Sequence, residues 1–145
     1  MCTGASYAGA PPFVGSPPHK AFIDVRPKGP EADDYLGDLS KWEATTVDQV
    51  QLVACVTYTL TTTIRRCYYS NDGKKRITQR LRETVYVVQV REAQSGRTIG
   101  RAEFHGAERK CAEFITTFGG KAPSEQVSRP TGKQLRDTIG KYVTS

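Results

Sequence analysis

Four cysteines and a run of arginines are the most reactive and the most highly charged features of this sequence. Cys2, Cys55, Cys67 and Cys111 include no pair at the two-residue spacing common in zinc sites, and only His19 and His105 could add imidazole ligands. No metal site or cofactor is therefore expected. Between Arg65 and Arg82 stand Arg65, Arg66, Lys74, Lys75, Arg76, Arg80 and Arg82, with Asp72 as the only acid among them, in a chain of net charge +6. Such a balance favours acidic partners: nucleic acid, anionic lipid or an anionic cell-wall polymer.

The catalytic inventory is thin. There is no glycine-rich phosphate loop, nucleophile elbow or metal-ligand helix. His105 with Tyr86 and Glu103 can be drawn as an acid and base set, but strand alternation puts His105 and Glu103 on one face by period alone. Asp33 and Asp34 are adjacent and so diverge in direction, which suits a helix N-terminus better than proton transfer. The chain is expected not to be an enzyme and to have no catalytic residues.

The elements that must position these residues fall in three stretches. Six of the eight prolines lie within residues 1–30 among glycines, a composition that reads as a flexible tether or arm; Phe22, Ile23 and Val25 are apolar enough to add an edge strand. Residues 31–145 read as a single domain. In it a short acidic turn precedes Trp42, which is expected to seal a core edge. Four strands follow, near residues 49–59, 62–69, 76–93 and 98–105, with turns at Asn71-Asp72-Gly73 and Ser95-Gly96. A last helix opens on Thr131 and Gln134, a capping box, and aligns Leu135, Ile139, Tyr142 and Val143 on one stripe. The fold class is α+β: a four-stranded antiparallel β-meander packed against a C-terminal helix.

Register assigns the faces. Turns centred on Thr61, on Asp72-Gly73 and on Ser95-Gly96 place Leu52, Ala54, Val56 and Tyr58 with Ile64, Tyr68, Leu81, Val85, Val87 and Phe104 on the face under the helix. The other face then carries Arg65 opposite Arg80, with Tyr69, Arg76 and Arg82. Opposed like charges are mildly destabilising, so a bound anion there would relieve a cost; the plainer reading is a solvated face that discourages edge aggregation. Nucleic acid is not favoured, because Tyr69 is the only ring well placed among these charges. Farther along, Val53, Tyr86, Val88 and Val90 leave an apolar strip near His105, to be covered by residues 22–25, by residues 114–118 or by a partner.

The turn centred on Thr61 sets Cys55 opposite Cys67 within reach of a disulfide, the alternative being two reduced thiols, and leaves Cys111 unpaired. Cys2, ahead of a flexible Gly- and Pro-rich segment, has the placement of an acylated bacterial lipoprotein cysteine, a reading that requires Met1 to stand in place of a signal sequence. No stretch approaches the length and hydrophobicity of a membrane helix or an intact signal peptide.

Cys55-Val56, Cys67-Tyr68, the Ser95-Gly96 turn and Cys111 together resemble bacterial extracytoplasmic, lipoprotein-like domains of unknown function, over residues 42–143. The resemblance implies a compartment and no mechanism. The expected role is a non-enzymatic binding or structural module at a bacterial cell surface, with a protein or cell-envelope polymer as partner and membrane contact only through a lipid on Cys2. Two alternatives are a polyanion or nucleic-acid binder using the basic sheet face, and a subunit of a larger assembly.

Overall fold

The computed structural model describes residues 2–26, 37–71, 75–115 and 123–145. Their elements are β1 (Ala21–Val25), β2 (Leu52–Asn71), β3 (Lys75–Glu92), β4 (Thr98–His105), β5 (Glu125–Val127) and the helix α1 (Gly132–Val143), with 3-10 segments at Gly37–Trp42 and Val47–Gln49. The strands form one sheet in the order β1-β2-β3-β4, with β5 also pairing β3. The α+β class holds, but the sheet is mixed rather than an antiparallel meander. β1 runs parallel to β2, from Ala21 beside Leu52 to Val25 beside Val56, and β5 runs parallel to β3, from Arg80 beside Glu125 to Arg82 beside Val127. Parallel neighbours need long connections, and residues 26–51 supply one between β1 and β2.

The largest departure from expectation is β2. Residues expected as two strands hinged at Thr61 form one strand of 20 residues. The local chemistry explains it: Thr59, Thr61, Thr62 and Thr63 are β-branched, and no Gly, Pro, Asn or Asp offers a turn between Val56 and Ser70. Gln51 lies beside Ala93, Thr61 beside Glu83 and Tyr68 beneath Arg76, so β2 and β3 are antiparallel with a register one residue from that expected. The expected turn at residues 71–73 falls mostly outside the described residues. The turn at Ser95-Gly96 is present; Gly96 has φ 75° and its N–H, with the Arg97 carbonyl, meets Glu92, a bulge that requires positive φ.

The chain divides into two compact units, the first comprising Met1–Tyr58, Tyr86–Phe104 and Thr131–Ser145, the second Thr59–Val85 and His105–Pro130. The first holds the main core: Leu52, Ala54 and Val56 of β2 with Tyr86, Val88 and Val90 of β3, Ile23 and Val25 of β1, Trp42, and Leu135, Ile139 and Val143 of α1. The one-residue shift in register thus puts Tyr86, Val88 and Val90 beneath the helix, where Val85 and Val87 were expected. Val53 faces the other way, into a smaller cluster with Val50, Cys55, Ala93 and Ala10, against which Cys2, Tyr7 and Ala44 pack. Residues 2–26, expected within a flexible arm, are therefore part of this unit; the Tyr7 N–H bonds the Ala93 carbonyl and the His19 N–H bonds that of Val143.

The helix forms as its sequence dictates. Thr131 accepts from the Gln134 N–H while the Gln134 side chain accepts from the Thr131 N–H, a complete capping box. Gly140 costs a helix about 1 kcal/mol relative to Ala, yet a Cβ there would lie 2.7 Å from the Trp42 ring. The glycine is the condition for bringing α1 down on Trp42, which is 7% exposed.

Candidate functional site

Each unit contains one disulfide. Cys2 bonds Cys55 with 5.8 Å between Cα atoms, and Cys67 bonds Cys111 with 5.7 Å, so none of the four is a free thiol. The expected Cys55–Cys67 bridge does not form. Both residues lie on the unbroken β2, far beyond the roughly 7 Å limit of Cα separation that a disulfide spans. Cys111 is accordingly paired, and the Cys2 sulfur, engaged with Cys55, has no valence left for a lipid. Two disulfides indicate an oxidising, extracytoplasmic environment. No helix among the described residues is long and apolar enough to cross a membrane.

The second bridge sits in a dense polar cluster of the second unit. Tyr69 on β2 donates to the Ala112 carbonyl at 2.6 Å, next to Cys111, and receives a bond from Gln126 Nε2 at 2.6 Å. Gln126 also donates to Gln79 Oε1 at 2.7 Å and accepts from the Ala112 N–H at 3.2 Å, while Gln79 donates to the Pro123 carbonyl at 2.7 Å. Gln79 is 2% exposed. Burying an amide this deeply requires such partners, and they fasten the 111–112 and 123–126 stretches to the sheet.

The basic residues are distributed differently from expectation. The register that puts Thr61 beside Glu83 and Tyr68 beneath Arg76 brings Ile64, not Arg65, opposite Arg80. Arg76, Arg80 and Arg82 share one face of β3; Tyr69 belongs to the other face, with Cys67 and Gln79, and Arg65 alternates onto that same face. The five residues are thus not one cluster. Arg80 and Arg82 both bond Glu125 Oε1, the latter at 3.0 Å, and Arg82 also donates through Nε to the Thr61 carbonyl at 3.0 Å. Arg76 lies 5.0 Å from the centre of the exposed Tyr68 ring, a cation–π contact. Arg65 is exposed. Glu125 was not legible in the sequence as their partner, because its pairing depends on β5, three residues long and parallel to β3.

A second charged cluster in this unit is Glu83 with Arg109 and His105, the histidine Nδ1 lying 3.1 Å from Glu83 Oε1. The Arg109 guanidinium first, and His105 after it, hold the Glu83 carboxyl below its ordinary value although partial burial works against them. His105 therefore meets Glu83, while the Glu103 carboxylate takes Arg101 at 2.9 Å and Tyr86 is fully buried and stacked on Phe104. Among the described residues, no group of three or more His, Cys, Asp or Glu side chains is arranged to hold a metal ion. Asp33 and Asp34 lie outside the described residues.

Comparison with family models, with curated proteins and with solved structures finds no match for this chain.

Proposed function

We propose that the protein is a non-enzymatic binding or structural module of the bacterial cell surface, in line with the lipoprotein-like domains its cysteine-bearing motifs resemble. The observation that carries this reading is the pair of disulfides, one in each unit, each tying a sheet strand to a segment remote in sequence. Bridges of this kind stabilise small domains that fold outside the reducing cytoplasm. Its partner on this reading is a protein or an envelope polymer. Attachment by a lipid on Cys2 and the Cys2–Cys55 bridge exclude each other. Fractionating the native source with thiols blocked at lysis tests this: oxidised protein outside the cytoplasm is expected, and a reduced cytoplasmic pool would overturn it.

A polyanion-binding role is the second reading, favoured by the net charge and by exposed Arg65, Arg66 and Arg76. Glu125 neutralises part of the charge of Arg80 and Arg82, so the patch is weaker than its sequence promises. Binding to a heparin-type polymer that falls steeply between 50 and 200 mM salt would support this role, and no such dependence would defeat it.

A further inference from the structure

We infer that β4 is a self-pairing edge, through which two copies of the chain join their sheets by antiparallel β4–β4 contact. In the first unit β4 is the terminal strand of the order β1-β2-β3-β4, and among the described residues no backbone group outside β3 and its turn bonds residues 98–104. The opposite edge strand, β1, is partly taken: Ala21 bridges to Glu43, and its carbonyl accepts from the Ala44 N–H. An open edge is a template for another strand. What identifies the occupant is the charge pattern of β4 itself.

Arg101 and Glu103 lie on the outward face of β4, with 58% and 51% of their side chains exposed, and Ala102 lies between them. Two copies related by a two-fold axis at Ala102 set Arg101 of each opposite Glu103 of the other, two reciprocal ion pairs from one register. An axis at Arg101 would oppose two arginines and an axis at Glu103 two glutamates. A shift by a single residue would set outward side chains against inward ones. On the core face the Ala102 register puts Phe104 of one copy beside Gly100 of the other. The Tyr142 ring lies over Gly100, where a Cβ would come within 2.1 Å of it, so two half-buried rings gain cover together. Eight residues per copy bury less than the roughly 1,200 Å² of a stable interface, so the pairing is weak and seen at high concentration.

Sedimentation velocity across micromolar to millimolar protein tests this. The wild-type chain is expected to dimerise reversibly. Arg101→Glu alone and Glu103→Arg alone are expected to remain monomeric with unchanged far-UV circular dichroism. Mixing the two variants restores both ion pairs and is expected to restore a dimer of one copy of each. A wild-type chain monomeric throughout, a dimer indifferent to both substitutions, or variants that do not recombine on mixing would each overturn the proposal.

Discussion

Glu125 holds two guanidiniums through one oxygen, while its other oxygen, Oε2, is buried with no hydrogen-bond partner among the described residues. Glu125→Gln removes the charge, keeps the shape and leaves Arg80 and Arg82 facing each other. It is expected to cost about 1 kcal/mol, the scale of a half-exposed ion-pair network, and to raise affinity for a sulfated polymer at low salt. Denaturant titration and salt-dependent binding measure the two effects; weaker polymer binding by the variant would mean that the arginines are not the contact. Glu83 carries a pH dependence. Its folded-state pKa lies below the ordinary 4.5, so its stabilising contribution is full above that value and is lost as pH falls through the depressed one. The stability gap between wild type and Glu83→Gln is therefore expected to narrow on acidification below pH ~4.5; a gap unchanged between neutral and acid pH would remove Glu83 from the account.

At the scale of elements, Gly140→Ala separates propensity from packing. Helix propensity favours Ala by about 1 kcal/mol, whereas the Cβ would meet the buried Trp42 ring. Net destabilisation of about 1–3 kcal/mol is expected, the range for overpacking; a more stable variant would show that α1 does not sit on Trp42. Much of this element was legible beforehand: the Thr131 and Gln134 cap, the Leu135, Ile139 and Val143 stripe, and the bounds of β4 follow from local signals. The faces of β2 and β3 were not. Their assignment rested on turns centred on Thr61, on Asp72-Gly73 and on Ser95-Gly96; without a true turn residue at Thr61 the strand continues, and β3 pairs with it one residue from the register centred on Asp72-Gly73. That slip moved Tyr86, Val88 and Val90 into the core and separated Tyr69 from Arg76, Arg80 and Arg82, while the unbroken β2 made a Cys55–Cys67 bridge impossible. The parallel β1 and β5 were unreadable as to partner and direction, since runs of five and three residues specify neither. Phe22 and Val25 did mark where β1 forms.

For the whole molecule, the bridges set the stability. They close sequence separations of 53 and 44 residues, worth about 4 kcal/mol each by loop-closure entropy, of the order of a small domain's entire stability. Full reduction is expected to lower the midpoint of chemical unfolding strongly, and Cys2→Ser with Cys55→Ser to do so by about half as much; a midpoint insensitive to reductant would mean that the packed cores suffice alone. Both effects depend on which cysteines are paired. Peptide mapping under non-reducing conditions, with free thiols alkylated first, tests the pairing most directly. Linked peptides joining Cys2 to Cys55 and Cys67 to Cys111, with no alkylated cysteine, are expected. A peptide linking Cys55 to Cys67, or a free or lipid-modified Cys2, would contradict that pairing.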